Sequence, residues 1–134
     1  MTTHNKIEPL GPGYERVAGK ELRFRDVFRD TLRAEMIRDQ DVFLMGEDIS
    51  GGFDRDTKEP LDAWGGPFAA TKGLVQEFGP ERIRDAPISE AGFVGAAVGA
   101  ALTGLRPVVD LMYFDFVTVA YDQLLSNAAK SRYM

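Results

Sequence analysis

From Leu22 onward the apolar residues fall into step. Phe24, Val27, Phe28, Leu32 and Met36 recur at three- and four-residue spacing with Arg and Asp between them. This predicts an amphipathic helix ending near Asp39. Val42 to Met45 is a short apolar run closed by Gly46, the pattern of a buried strand. Residues 49–70 are rich in Gly, Asp and Pro and carry no period, so they read as a long loop of the kind that serves a function or is ordered by a partner. "TKGLVQEFG" predicts a short helix with Thr71 as cap and Gly79 as stop. "RIRDAPIS" predicts a short strand running into a turn at Pro87, and a Gly/Ala-rich helix comes next, from Ser89 to Thr103. "RPVVDLMYF" reads as a third strand and "FVTVAYDQLLSNAAKSRYM" as a long closing helix.

Strands alternating with helices predict an α/β fold with a mostly parallel sheet and flanking helices. Residues 1–21, with Pro9, Gly11, Pro12 and Gly13 and little periodicity, read as an extended arm, and 22–134 as one domain. Three strands make a narrow sheet with an exposed edge, and nothing closes the last helix. The domain is therefore expected to be incomplete at its C-terminus and to depend on a partner.

Composition narrows the function. The chain has 134 residues, 44% hydrophobic and 28% charged, with net charge −5 and a sequence pI near 4.9. That balance fits a globular protein and argues against nucleic acid or an anionic membrane as partner. No cysteine is present, which excludes disulfides, thiolate metal sites and a Cys nucleophile. The start lacks an apolar core of the secretory type, and Ala91 to Leu105 is too short to span a bilayer, so a cytoplasmic protein is expected. The one histidine, His4, lies in the arm, so no Ser–His–Asp set can form, and neither a Walker-type loop nor G-x-G-x-x-G occurs. No acidic group has metal-ligand spacing.

One residue stands out. In "SEAGFVGAAVGAA" Glu90 directly precedes a run of Gly, Ala and Val. With Ser89 as N-cap, Glu90 lies in the first helical turn, where the helix dipole favours a carboxylate. It is either a helix opener or an acid held where water reaches it poorly. Gly92, Gly95 and Gly99 with Ala96 and Ala100 make a flat face that either packs on the sheet or admits another backbone. Glu47 and Asp48 come directly after a strand, at the edge where such folds bind ligands, although such a pair is more often a solvated loop start.

The blocks "FLMGEDI", "DAWGG…TKGLVQEFG", "RIRDAPISEAGFVGAAVGAALTGLRPVVDLMYFDF" and "YDQLLSNAAKSRYM" resemble the β subunit of the thiamin-diphosphate-dependent 2-oxo acid and acetoin dehydrogenases, from about Leu22 to Met134. The "DAWGG" loop is most similar to the acetoin-type subunits. The resemblance implies a transketolase-like pyrimidine-binding domain in which Glu90, from the "P-[IL]-S-E" block, hydrogen-bonds a ring nitrogen of the cofactor's aminopyrimidine and favours its imino form. An apolar setting would disfavour that carboxyl group's charged form. By the same match Ile88, Met112 and Phe116 contact the aminopyrimidine ring, with ordinary core residues as the alternative, and Glu47 joins an acidic network near the site.

The resemblance further implies an enzyme subunit that cleaves the bond beside the carbonyl of a 2-oxo acid or acetoin. The product is a hydroxyalkyl adduct on the cofactor, passed to lipoamide or another acceptor. Thiamin diphosphate would be shared with an α-type subunit whose G-D-G…N motif holds Mg²⁺ and the diphosphate, in an α₂β₂-like assembly with the Gly/Ala helix at an interface. No G-D-G occurs here. Typical β subunits are more than twice this length, so a further chain supplying the C-terminal region, with its substrate-handling histidine, and a lipoyl acyltransferase are the other partners implied. A split acyloin-forming or transketolase-like enzyme and a non-catalytic assembly module are the alternatives.

Overall fold

A computed structural model describes residues 23–51, 65–131 and 133. The proposed N-terminal arm and the centre of the long loop, including the Asp, Ala and Trp of "DAWGG", lie outside these residues.

Helix α1 spans Phe24–Arg38, strand β1 Val42–Gly46, helix α2 Leu74–Phe78, strand β2 Ile83–Asp85, helix α3 Glu90–Leu102 and strand β3 Arg106–Asp110. The three strands form a parallel sheet in the order β2-β1-β3. The alternation of side chains along β1 explains its two-sided burial. Val42 and Leu44 face one layer with Ile83 and Val108, against Leu32 and Met36 of α1 and Leu74 and Val75 of α2. Met45 and Val109 face the other, against Phe93 and Val94 of α3. A central strand covered on both faces needs the near-continuous apolar run that β1 carries, whereas the edge strand β3 keeps only Val108 and Val109 between polar ends.

Local chemistry fixes the joints. The Arg82 guanidinium donates to the carbonyls of Val42 and Asp39, holding the start of β2 against the start of β1. Arg33 of α1 makes two parallel hydrogen bonds to the Glu77 carboxylate of α2, at 2.6 and 2.7 Å. Those bonds first, and the Glu77 charge second, raise the guanidinium above its ordinary value, so the arginine stays charged at every pH the fold meets. Gly104, at φ 102°, turns the chain from α3 into β3, a left-handed position that glycine occupies without steric cost.

Three expectations need correction. β3 stops at Asp110 instead of running through Phe114, because the Asp110 carboxylate accepts a hydrogen bond from the Met112 N–H at 2.7 Å and bends the chain out of the sheet. The closing helix is not one element. A 3₁₀ helix at Phe114–Thr118 gives way to a π-helical turn at Gln123–Ala128, marked by the Ala129 N–H bonding the Leu124 carbonyl. The β-branched run Val117, Thr118 and Val119 disfavours a continuous α-helix there. Thr71 does not cap α2. The N-cap is Gly73, and the buried Thr71 hydroxyl donates instead to the Ile49 carbonyl at 2.9 Å.

Candidate functional site

Parallel pairing brings three strand ends level. Gly46, the last residue of β1, pairs with Asp85 on one side and Asp110 on the other. The chain passes from β1 to β2 on one flank and then crosses to β3 on the opposite flank, so the strand order reverses at β1. In open α/β sheets the crevice outside the carboxyl ends at such a reversal is the ligand-binding edge. The segments leaving the three strands therefore build one site: Glu47 and Asp48 after β1, the turn of residues 86–89 leading into α3 after β2, and Leu111 to Phe116 after β3.

Glycine is needed at position 46. A Cβ there would lie 2.8 Å from the Asp110 carbonyl oxygen and 3.1 Å from the Asp110 Cβ, so β1 and β3 approach more closely than a side chain permits. Asp85 is held from the other side. Its carboxylate accepts from the Ser50 backbone N–H at 2.8 Å and from the Ser50 hydroxyl. The turns at 65–73 are tied to the same edge by the Gly66 N–H bonding the Asp48 carbonyl at 3.0 Å.

Helix α3 starts at this edge with Ser89 in the N-cap position, although the Ser89 side chain makes no capping bond. Its buried residues are Glu90, Phe93, Val94 and Ala97, the i, i+3, i+4, i+7 spacing of a single face. Glu90 is thus the first residue of the stripe that packs on the sheet, not a member of the solvent face, and it is 7% exposed. A helix opener acting only through the dipole needs no such burial. Among the described residues nothing hydrogen-bonds or ion-pairs with its side chain, yet its oxygens are not sealed buried atoms. The result is a largely buried carboxyl group whose oxygens keep some accessible surface.

The other sequence-predicted residues share this edge to different degrees. Ile88 lies two residues before Glu90 and is 78% exposed, an apolar side chain left uncovered. Met112 is half-buried at φ 61°, a left-handed conformation uncommon for a side chain of its size and imposed by the Asp110 bond. Phe116 is half-buried in the 3₁₀ helix, its ring edge-on to Tyr113 at 5.9 Å, and Tyr113 in turn meets Phe68 at 5.2 Å. Glu47 is half-buried, and no hydrogen bond links it to Glu90 among the described residues. Sequence reasoning missed Asp85, Asp110 and Ser50, which position the strand ends. The available signal was an acidic residue closing each outer strand.

A cavity of about 630 Å³ opens beside Met112 where α1 begins, between Phe28, Phe68, Ala70 and Asp110. Among the described residues no group of three or more His, Cys, Asp and Glu side chains is placed to hold a metal ion, and no helix is long and apolar enough to cross a membrane.

Comparison with known proteins agrees with this fold. Residues 20–134 match the family described as transketolase, pyrimidine binding domain. The chain is 49% identical over 113 residues to the acetoin:2,6-dichlorophenolindophenol oxidoreductase subunit beta of Bacillus subtilis, covering 84% of this chain and 33% of that protein. It is 42% identical over 114 residues to the pyruvate dehydrogenase E1 component subunit beta of Rickettsia felis, covering 85% and 31%. A mitochondrial pyruvate dehydrogenase E1 subunit beta of Pisum sativum is 43% identical over 117 residues, covering 87% and 29%. The chain spans about a third of the length of these curated relatives.

Proposed function

The chain belongs to the transketolase pyrimidine-binding domain family, and from that premise we propose that it is the pyrimidine-binding part of a β-type subunit in a thiamin-diphosphate-dependent enzyme acting on a 2-oxo acid or acetoin. One observation carries the reading: Glu90 is a buried carboxyl group without a protein partner among the described residues, at the carboxyl edge where the strand order reverses. Such a carboxyl group, largely buried yet with accessible oxygens, suits a hydrogen bond with a protonated heteroaromatic ring nitrogen.

In this reading Glu90 holds a hydrogen bond to a ring nitrogen of the aminopyrimidine and keeps a proton at that position. Low water access strengthens the bond and holds it in one geometry. Ile88, Met112 and Phe116 are the apolar contacts to the ring, which accounts for the exposure of Ile88 in the chain by itself. The chemistry that bound thiamin diphosphate supplies is a carbon nucleophile for a substrate carbonyl. An α-type subunit carrying the diphosphate and Mg²⁺ motif completes the site, and the uncovered side chains of Phe114, Val119, Tyr121 and Leu125 are available to pack against another chain.

The test is Glu90→Gln in the complex formed with an α-type partner. Glutamine keeps the shape of the side chain and removes the acid. Turnover of 2-oxo acid or acetoin is expected to fall by about 100-fold or more, the usual contribution of a positioned acid or base, while assembly measured by gel filtration stays intact. Unchanged turnover would remove Glu90 from the chemistry and favour a non-catalytic assembly module.

A further inference from the structure

The turn that leads to Glu90 has little of its own to hold it. Only Pro87, Ile88 and Ser89 separate Ala86 from Glu90, and all three are exposed, Ile88 by 78%. The Ser89 side chain makes no capping bond, and among the described residues nothing hydrogen-bonds with the Glu90 side chain. The carboxyl group therefore stands where two anchors put it. One is the apolar stripe of α3, and the other is the pair of residues 85–86.

Three bonds fix residues 85–86 to the chain at the end of β1 and just beyond it. The Ala86 N–H donates to the Gly46 carbonyl at 2.8 Å. One Asp85 carboxylate oxygen accepts from the Ser50 N–H at 2.8 Å and the other from the Ser50 hydroxyl. Ser50 is 3% exposed, so little water reaches its two donors to replace the carboxylate, and an unmet buried donor is costly. The segment around Ser50 is itself held, by the Thr71 hydroxyl donating to the Ile49 carbonyl and the Gly66 N–H to the Asp48 carbonyl. Asp110, which closes the other outer strand, bonds within its own turn, two residues on. Asp85 instead reaches 35 residues back along the chain. A bond of that span ties two strand ends together rather than shaping one turn.

We infer that the Ser50–Asp85 pair is a clamp that sets the place of Glu90, which makes Asp85 a positioning residue for the reaction. The inference rests on the function proposed above, in which Glu90 bonds a ring nitrogen. Such a bond tolerates little displacement, because its atoms must stay about 2.7–3.2 Å apart and well aligned. With the clamp released, the exposed turn can shift the first residue of α3 while the sheet and the α3 stripe stay packed. Asp85 moves no proton and acts only through Glu90.

Asp85→Asn in the complex with an α-type partner tests the clamp through two readouts. The first needs no turnover: backbone hydrogen–deuterium exchange, read by mass spectrometry in peptides covering Ser50 and residues 86–93. Exchange there is expected to quicken by roughly tenfold while peptides from β1 and β3 keep their protection, the mark of local rather than global opening. The second readout is turnover of pyruvate or acetoin. A roughly tenfold fall in kcat is expected, the scale of a sub-ångström misplacement, with KM unchanged. In a Glu90→Gln background the same substitution should add almost nothing, because residues that act through one group are not additive. An independent structural role would multiply the two losses instead. Ser50→Ala keeps the N–H bond and removes the hydroxyl, so it should show both effects more weakly, and it decides the question if Asp85→Asn does not assemble. Unchanged exchange in these peptides, or equal losses of turnover in both backgrounds, overturns the proposal. The two readings fail separately. Faster exchange in Asp85→Asn, with turnover retained in Glu90→Gln, keeps the clamp and removes the thiamin assignment. Turnover lost in Glu90→Gln, with exchange unchanged in Asp85→Asn, does the reverse.

Discussion

Replacing Gly46 by alanine tests the closeness of β1 and β3 on which the whole site depends. The added methyl group would lie 2.8 Å from the Asp110 carbonyl oxygen and 3.1 Å from both the Asp110 Cβ and the Ile49 Cγ2, where ordinary contact begins near 3.4 Å. The nearest atom is backbone, so no side-chain rotation relieves the overlap. Relief requires β3 to move away from β1 by several tenths of an ångström at the Gly46–Asp110 pair. Overpacking of this kind costs about 1–3 kcal/mol, offset by about 0.5–1 kcal/mol because alanine loses less conformational freedom than glycine in a strand. A net loss of about 1–2 kcal/mol is expected. With a urea slope of about 1–3 kcal/mol per molar, the midpoint of unfolding, monitored by far-ultraviolet circular dichroism, should fall by roughly 0.5–1 M. The Asp110 carboxylate moves with its strand, so the turn at Met112 should loosen as well. An unchanged or higher midpoint would refute the tight register at the strand ends, and with it the argument that this edge is rigid enough to hold a ligand.

Two further substitutions probe the same framework. Thr71→Val preserves the shape of a 1% exposed side chain but leaves the Ile49 carbonyl without its donor; a destabilisation of about 1–3 kcal/mol in the same urea measurement is expected. Gly99→Ala should have the opposite sign: nothing lies within 4 Å of the added carbon on α3, so the chain alone should gain up to about 1 kcal/mol in helix propensity. If this face packs on another subunit, Gly99→Ala should also lower co-elution with that subunit, whereas Gly46→Ala should not act through the interface.

The parts of the fold governed by local periodicity were legible in the chain. The apolar runs at Val42 and Val108 and the helical spacing of Leu32 and Met36 act over a few residues and gave the layer architecture. The features beyond reach depended on partners that periodicity does not see. Asp110 ends its strand through a bond to its own chain two residues on, yet the residues "DLMYF" read by pattern as a continuation of β3. Thr71 looked like a cap from its neighbours, but the Ile49 carbonyl, 22 residues earlier, takes its hydroxyl. The closing segment has helical spacing and good helix formers in its second half, but the β-branched stretch at Val117 to Val119 divides it. Glu90 was conspicuous in the sequence because it interrupts an apolar run. Its place on the buried stripe emerges only once α3 is set against the sheet.

Two features at the carboxyl edge work against stability, and they occur together. Met112 holds a left-handed backbone conformation that a glycine or asparagine would adopt more easily. Glu90 holds a carboxyl group on the packing face of α3 with no donor from the protein among the described residues. The Met112 conformation does not help the chain to fold, and what Glu90 gains from the helix dipole is set against the hydration it loses on burial. A well-packed apolar residue at position 90 would serve the core better, and a glycine at 112 would relax the turn. Backbone strain and largely buried charged groups without a protein partner persist where the surrounding structure forces them and where function requires them. Here the surroundings do force them: Asp110 dictates Met112, and the α3 spacing dictates Glu90. Both lie in segments that leave the carboxyl ends of the sheet where strand order reverses, and Met112 also lines the cavity of about 630 Å³ at the start of α1.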